Sequence, residues 1–252
     1  VMNPELPETD SLAKTLRDST MATYSIPRYL RVRRSALKLL FRQVFRVLYR
    51  VRIVGKENIP ASGAYLIAHN HVSIVDPAFI LSFWPLCAEV IGTTELWRRP
   101  GQNIIVGLYG TIPVKRDGID RQLIKKTVAI LQADFPLVIA PEGTRSHTPG
   151  MQRANPGIAY LVDRGQAPVL PVGVVGSTDE EIKKALWGRR PVLEMRIGKA
   201  FTLPPLEGRG KARRDARQEN ADLVMMRIAE LLPLEYQGVY ADHAFTRPAE
   251  AA

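Results

Sequence analysis

A short segment, residues 70–77, places a histidine and an aspartate, His71 and Asp76, five positions apart. A neutral imidazole can accept a proton from an alcohol, and a neighbouring carboxylate can orient the ring and stabilise the imidazolium that forms. Five positions on a continuous helix put two side chains well apart around its axis, so the chain must bend between them. Pro77 suits such a bend, since proline is favoured at the first helical position, with Asp76 or Ser73 as the preceding cap.

The elements that must position this pair follow from the hydrophobic pattern. From about residue 51, short β-branched runs alternate with helical segments, which predicts an α/β fold with a mostly parallel central sheet of about seven strands covered by helices. In such sheets, functional side chains gather where strands end and helices begin. The predicted strands are 52–54, 64–68, 88–91, 111–114, 137–140, 169–175 and 192–197. The predicted helices are 77–83, 96–108, 119–133, 156–164, 179–186 and 211–232, the second interrupted near residue 100.

The first fifty residues differ from the rest in pattern. Residues 1–28 are polar and lack periodicity, so we predict a mobile arm there. Residues 29–50 predict an amphipathic helix, with apolar residues at helical spacing and a basic residue at every fourth position. Residues 51–252 form the predicted main domain. The basic residues at that spacing are Arg34, Lys38, Arg42, Arg46 and Arg50.

The positive charge of the chain is concentrated near that helix. The formal net charge is +10, and residues 28–52 contain nine basic residues and no acidic one. Three interpretations are open: a solvated charged face on a helix packed against the core, an interfacial helix on an anionic membrane, or a nucleic-acid surface. The absence of acidic residues favours an anionic membrane surface. No nucleic-acid motif is recognised, so we predict no nucleic-acid partner.

Composition excludes several other classes of protein. The single Cys87 excludes an intrachain disulfide, and no stretch of about 18–20 apolar residues predicts a membrane span. The polar residues 1–20 do not resemble a signal peptide, so we predict a cytoplasmic location. The four histidines show no metal-ligand spacing with carboxylates, which predicts neither a metal nor another cofactor.

Three more clusters lie at or near predicted strands. They are Gly-Thr-Ile-Pro-Val-Lys-Arg from residue 110, Pro-Glu-Gly-Thr-Arg-Ser from residue 141 and Val-Leu-Pro-Val from residue 169. Taken separately, each has a simple structural explanation as a surface turn, a local ion pair or an edge strand. With Asn-His-x-Ser-x-x-Asp, and in this order, they resemble the four blocks of the glycerolipid acyltransferases, and more narrowly of the 1-acyl-glycerol-3-phosphate acyltransferases. The match runs from about residue 51 to residue 197.

The resemblance implies roles for several side chains. His71 is implied as the general base and Asp76 as its orienting carboxylate, while the acceptor site is implied to contain Glu142, Gly143 and Thr144. The chemistry of guanidinium groups favours Arg145 and then Arg116 as ligands of the acceptor phosphate, with Lys115 adding charge. Glu142 would repel a phosphate, so we expect it to orient Arg145 or another donor.

The implied reaction is acyl transfer from acyl-CoA or acyl carrier protein to 1-acyl-glycerol 3-phosphate, which gives phosphatidic acid in phospholipid biosynthesis. Alternatives are another acceptor (a different lysophospholipid, glycerol 3-phosphate or an amino-acid lipid) and a non-catalytic protein that binds membrane or nucleic acid. The predicted location is the cytoplasmic face of the cell membrane, peripheral or monotopic, with the basic helix as the anchor. The apolar segments 77–83 and 97–109 are either ordinary core or the lining of an acyl channel.

Overall fold

A computed structural model describes residues 24–114, 121–146 and 148–241 of the chain. Its strands form one sheet in the order β1-β7-β6-β2-β5-β3-β4, in which every neighbouring pair is parallel except the antiparallel pair β6–β7. The prediction of a mostly parallel sheet of about seven strands is therefore confirmed. The strands are β1 (Arg50–Val54), β2 (Leu66–His69), β3 (Glu89–Thr93), β4 (Ile112–Val114), β5 (Leu137–Ile139), β6 (Val169–Val175) and β7 (Val192–Ile197).

Helices cover both faces of this sheet, as expected for parallel strands that are buried on both sides. The α-helices of the described residues are α1 (Arg28–Leu48), α2 (Val75–Phe83), α3 (Gln102–Tyr109), α4 (Arg121–Gln132), α5 (Gly157–Gly165), α6 (Asp179–Leu186), α7 (Gly210–Ala229) and α8 (Leu234–Gln237). One core lies between the sheet and the side chains of α1, α2 and α6, and the other lies under α5 and α7. All four residues of β2 are buried, so the turn that carries His71 starts from the interior of the sheet.

The N-terminal basic helix is present but shorter than predicted. It ends at Leu48, and Arg50 is instead the first residue of β1, where its backbone N–H donates to the carbonyl of Pro191. Most of the predicted mobile arm, residues 1–23, lies outside the described residues.

Three of the basic side chains on α1 point toward the protein rather than away from it. Arg34 is fully buried, so its prediction as a membrane-facing cation is wrong. Lys38 donates to the carbonyls of Trp84 and Leu86, and Arg42 donates to the carbonyl of Ser82, at the C-terminal end of α2. Carbonyls at a helix C-terminus lack helical partners and carry partial negative charge, which explains why basic side chains pack there.

The buried Arg34 forms a two-pronged ion pair with Glu89 at the start of β3. Its Nη1 and Nη2 atoms lie 2.8 Å from the two carboxylate oxygens, and both side chains are about 1% exposed. The Nε atom donates to the carbonyl of Tyr109, and the guanidinium lies 4.5 Å from the centre of the Tyr109 ring. Arg34 therefore joins α1 to the beginning of β3 and the end of α3.

The outward face of α1 is apolar. Exposed large side chains recur at helical spacing along it and continue onto α3, whose Gly107 carbonyl accepts a hydrogen bond from Arg33. We call this set the apolar outer surface: Tyr29, Val32, Leu39, Leu40 and Val47 of α1 with Ile104, Ile105 and Leu108 of α3. Among the helices that the structure describes, none has the length and apolar character needed to cross a bilayer.

Candidate active site

The turn between β2 and α2 is organised by the carboxylate of Asp76. Its Oδ2 atom accepts hydrogen bonds from the backbone N–H groups of Val72 and Ser73, at 2.8 and 2.7 Å. The Oγ atom of Ser73 in turn accepts from the N–H of Val75, at 3.2 Å. The helix begins at Val75, so the expectation that Pro77 is its first residue is wrong. Pro77 lies third, still within the first turn, where backbone N–H groups have no helical partner.

The bend brings His71 and Asp76 together, as the spacing required. The His71 Nδ1 atom lies 3.2 Å from Asp76 Oδ2. Because a carboxylate oxygen only accepts, this contact places the proton on Nδ1 and leaves Nε2 with a free lone pair. The Asp76 side chain is 0% exposed and the His71 side chain is 18% exposed. The ring therefore has access to solvent or substrate on one side and a buried carboxylate on the other, which is an arrangement suited to a general base.

Asn70 fixes the point at which the turn leaves the sheet. Its buried side chain donates from Nδ2 to the carbonyl of Val174, at 2.9 Å, and accepts the N–H of Val174 at Oδ1, at 2.7 Å. The amide thus continues the pairing between β2 and β6 by one position beyond His69. Asn70 is the first residue of the block Asn-His-x-Ser-x-x-Asp, which carries no predicted role for it, and an amide directly after a buried strand is the sequence signal for this contact.

Glu142 supports the backbone of the turn between β2 and α2. Its Oε1 atom accepts the N–H of His71 at 2.9 Å, and its Oε2 atom accepts the N–H of Gln152 at 2.8 Å. Burial raises the pKa of Glu142 to about 7, against the lowering effect of these two hydrogen bonds. The sequence predicts Arg145 or another donor as the partner of Glu142. The donors are the backbone N–H groups of His71 and Gln152, and neither was anticipated.

The third block forms a tight turn around that carboxylate. The N–H of Gly143 donates to the carbonyl of Ala140. Gly143 has a φ of 71°, a backbone conformation that residues with a side chain rarely adopt. Thr144 follows, half-buried, and the N–H of Ser146 donates to the carbonyl of His71 at 2.8 Å. His71 is therefore bound at both its N–H and its carbonyl by the block from Glu142 to Ser146.

Arg145 lies at a cavity next to the turn between β2 and α2. With Val72, the residue after His71, it lines a cavity of about 240 Å³. Carboxylates of Asp179 and Glu180 line the cavity too, so an anion bound there would depend on cationic groups to offset them. Lys115 and Arg116, the other predicted phosphate ligands, lie outside the described residues.

A second histidine lies beside His71. His69 is fully buried, its Nδ1 atom lies 2.7 Å from the carbonyl of Asn70, and burial lowers its pKa to about 4. Its ring centre lies 5.5 Å from that of His71. Folding also brings ligand atoms of His69, His71 and Asp76 within 4.8 Å of one another, a group that could hold a metal ion and that spacing alone did not predict. Asp76 Oδ2 already accepts hydrogen bonds from two backbone N–H groups, whereas its buried Oδ1 atom has no hydrogen-bond partner among the described residues.

An apolar cavity of about 470 Å³ adjoins the turn between β2 and α2. Val75 and Pro77 of α2 line it near His71, and Leu37 and Phe41 of α1 line another wall. Its volume lies within the range of about 300–1,000 Å³ that is typical of small-molecule sites. The segments 77–83 and 97–109, predicted as either core or the lining of an acyl channel, contribute to the core and also border this apolar cavity. Further lining residues come from α1 and α2 and from β3, α3 and α6.

A family model described as Acyltransferase matches residues 50–175, half of the chain. The matched region contains β1 to β6 together with His71, Asp76, Glu142 and Arg145. The chain belongs to the acyltransferase family. The prediction of a glycerolipid acyltransferase is thereby confirmed at the level of the family.

Individual relatives carry a narrower name. The chain is 29% identical to the human 1-acyl-sn-glycerol-3-phosphate acyltransferase alpha, over 54% of this chain and 49% of that protein. It is 24% identical to the 1-acyl-sn-glycerol-3-phosphate acyltransferase of Borreliella burgdorferi, over 55% and 56%. The corresponding Bacillus subtilis protein is 26% identical, over 53% and 67%. The chain spans about half the length of the first of these relatives.

The fold is shared with a solved structure of this acyltransferase family. The crystal structure of the 1-acyl-sn-glycerophosphate acyltransferase from Thermotoga maritima matches with a TM-score of 0.57, over 85% of this chain and 87% of that one. Sequence identity over the match is 20%, so this comparison supports the architecture and not the substrate.

Proposed function

We propose that the protein transfers a fatty acyl group from a thioester, acyl-CoA or acyl carrier protein, to the free hydroxyl of 1-acyl-glycerol 3-phosphate. The observation that carries the proposal is the contact of His71 Nδ1 with the buried carboxylate of Asp76, which leaves Nε2 free on the exposed side of the ring. The names of the relatives support this acceptor. The product is phosphatidic acid, which places the protein in phospholipid biosynthesis.

The chemistry needs no covalent enzyme intermediate. His71 Nε2 accepts the proton of the acceptor hydroxyl as its oxygen attacks the thioester carbonyl carbon, and the new ester C–O bond forms. The tetrahedral intermediate then collapses, the C–S bond breaks, and the imidazolium returns the proton to the leaving thiolate. Asp76 stabilises the imidazolium between these two steps without taking up its proton.

Two cavities border the turn between β2 and α2, and each is proposed to bind a different part of the substrates, one polar and one apolar. Arg145, with Arg116 and Lys115, is proposed to bind the acceptor phosphate, because guanidinium groups form paired hydrogen bonds with phosphate oxygens. Glu142, Gly143 and Thr144 shape that site rather than contact the phosphate. The apolar cavity is proposed to take a fatty acyl chain, since its lining offers almost no polar partner.

We further propose that the protein acts at a membrane surface, on its cytoplasmic face and without spanning it. Both the lysolipid acceptor and the product reside in the bilayer. The apolar outer surface of α1 and α3 would lie in the interface, and the exposed basic residues beside it, such as Arg46, would contact anionic headgroups. Membrane contact would thus depend on the outward apolar side of α1, because Arg34, Lys38 and Arg42 are committed to internal contacts.

An acceptor panel tests the catalytic proposal. Purified protein is incubated with labelled acyl-CoA and, separately, with labelled acyl carrier protein, and offered 1-acyl-glycerol 3-phosphate, other lysophospholipids, glycerol 3-phosphate or an amino-acid lipid. We expect 1-acyl-glycerol 3-phosphate to be the preferred acceptor. The His71→Ala variant should turn over 1-acyl-glycerol 3-phosphate about 10²–10⁴-fold more slowly, which is the usual contribution of a positioned acid–base group. Its folding and its vesicle binding should be unchanged.

Two results would contradict this proposal. Near-normal turnover by His71→Ala would remove His71 as the base. A clear preference for another acceptor would leave the mechanism intact and replace the substrate. Leu234→Ser, at an exposed position on α8, serves as the matched control and should retain full activity.

A further inference from the structure

The turn between α6 and β7 presents an exposed tryptophan to solvent. Trp187 is 85% exposed and Leu186 before it is 70% exposed, so two large apolar side chains stand next to each other outside the core. Gly188, Arg189 and Arg190 follow, and all three are exposed. A tryptophan this accessible contributes nothing to packing, and its large ring with one N–H donor is typical of side chains that lie at a membrane interface.

This turn lies beside the end of α1. The Nη2 atom of Arg190 donates to the carbonyl of Arg46 at 2.8 Å, and the N–H of Arg50 donates to the carbonyl of Pro191. The exposed Val47 at the end of the apolar outer surface is the next residue after Arg46. The turn therefore continues the surface that α1 presents, although the two segments are about 140 residues apart in sequence.

The turn also borders the apolar cavity. Leu186 lines that cavity together with Ile182 of the same helix and Val44 and Leu48 of α1, yet Leu186 is mostly exposed. A side chain that both lines a cavity and faces solvent lies at its rim. The rim between α1 and α6 is thus the point where an acyl chain could pass between a bilayer and the cavity.

The charges at this rim favour an anionic surface. Arg46, Arg50, Arg189 and Arg190 are exposed there, and no acidic residue lies between Leu186 and Arg190. The acidic side chains of α6 are near its beginning, where Glu180 and Glu181 pair with Lys184. Arginines next to an exposed aromatic ring are the composition of an interfacial contact with anionic lipid.

We propose that the α6–β7 turn is a second membrane contact, in which Trp187 inserts into the interface of an anionic bilayer and holds the rim of the apolar cavity at the lipid. The inference rests on the proposed function, since it takes the acyl chain and the bilayer from there. It adds a site that α1 alone does not supply. Two contacts, at α1 and at the turn, define an orientation, whereas a single helix leaves the molecule free to rotate about it.

Vesicle binding with three variants tests this proposal. The probe is vesicles of about 30% phosphatidylglycerol in phosphatidylcholine, and binding is measured by sedimentation. Trp187→Ser should weaken binding by about five- to twenty-fold, as the loss of one large apolar side chain from an interface predicts. Trp187→Phe should retain most of the affinity. Leu234→Ser is the matched control, because Leu234 is 68% exposed on α8, on the other face of the sheet, and its affinity should not change.

Fluorescence with brominated lipid measures insertion directly. In a Trp97→Phe background, vesicles with brominated acyl chains should quench the emission, and Trp187→Phe should remove most of that quenching, since the remaining Trp84 is fully buried. Quenching that is equal in the two proteins, or unchanged affinity of Trp187→Ser, would overturn the proposal. A change in Trp187 emission on addition of acyl carrier protein, with no change on addition of vesicles, would also overturn the proposal. It would assign the turn to an acidic protein partner.

These outcomes remain separate from those of the proposed function. If the wild-type protein fails to bind vesicles, the membrane part of the proposed function is wrong and the turn is excluded with it. If it binds and Trp187→Ser binds equally well, only the turn is excluded. Activity toward a short-chain acceptor below its micelle concentration should be the same in Trp187→Ser and wild type, because Trp187 contacts no reacting group.

Discussion

At the scale of single residues, the site depends on carboxylates with different tasks. Asp76 accepts hydrogen bonds from two backbone N–H groups and from the His71 ring, so it shapes the turn and also orients the proposed base. Glu142 contacts no part of the imidazole ring and holds the His71 backbone instead. This distinction explains why a carboxylate belongs in a site proposed to bind phosphate: Glu142 is directed at protein N–H groups.

Glu142→Gln tests that positioning role. An amide has one accepting oxygen, so one of the two N–H groups, of His71 or Gln152, would lose its acceptor. A buried N–H without a partner costs about 1–3 kcal/mol, so we expect turnover to fall on the order of ten-fold or more, without unfolding. The KM for the acceptor should change less than kcat, because the lost bond positions the base.

The pH profile distinguishes positioning from a purely structural role. The pKa of Glu142 is raised to about 7 by burial, so its carboxylate is protonated as pH falls through 7 and loses part of its accepting capacity. Protonation of Glu142 should therefore add a fall of about ten-fold to the wild-type log(kcat/KM) as pH drops through 7, and this added fall should be absent in Glu142→Gln. The same pH profile in the two proteins, with Glu230→Gln as the control, would contradict this role.

At the scale of elements, α1 is attached to the domain by its basic side chains. The deepest of these contacts is the Arg34–Glu89 pair, which connects α1 to the start of β3, and the same guanidinium binds the Tyr109 carbonyl at the end of α3. The chain then enters β4, which leads to Lys115 and Arg116. The position of α1 is thus set by a buried ion pair, and apolar packing is not its only attachment.

Arg34→Met should destabilise the protein strongly. Removing one partner leaves the Glu89 carboxylate buried without its counter-charge, which costs about 3–5 kcal/mol in comparable buried pairs. The double variant Arg34→Met, Glu89→Leu removes both charges and should recover much of that loss, since apolar groups of similar volume often replace buried pairs well. Urea unfolding at equilibrium measures both. A single variant within about 1 kcal/mol of wild type, near the range of an exposed pair, would show that the pair is not the anchor.

At the scale of the whole molecule, several basic side chains of α1 point inward, whereas apolar side chains of α1 and α3 point outward. The net charge is +10, yet part of the basic series on α1 is consumed by internal contacts. What α1 and α3 present outward is mainly apolar. Binding to a membrane should therefore have a part that depends on salt, from exposed basic residues, and a part that does not, from the apolar outer surface.

Salt titration of vesicle binding separates these two parts. For anionic vesicles, we expect 1 M salt to weaken wild-type binding without abolishing it, because screening removes the electrostatic part only. Leu39→Ser with Leu40→Ser should lose the salt-resistant part, since both leucines are more than half exposed on α1. Complete loss of wild-type binding at high salt would show that the apolar outer surface does not insert. Sedimentation of Leu234→Ser provides the comparison.

The sequence by itself determined the class of fold, because alternating buried strands and amphipathic helices leave few other solutions. It also placed His71 and Asp76 on a turn after a buried strand, since five-residue spacing with proline requires a bend. Local patterns of this kind act within about ten residues, and the structure confirms both.

Only the tertiary structure decided which side chains face which partners. Arg34 and Glu89 are 55 positions apart, and Glu142 and the His71 N–H are 71 positions apart. A periodic pattern locates the faces of a helix but does not state which face meets the sheet, so the basic series on α1 was assigned to the membrane although part of it is buried. A buried charge is stable only when a partner is folded against it, and that partner is selected by the packing of the whole chain.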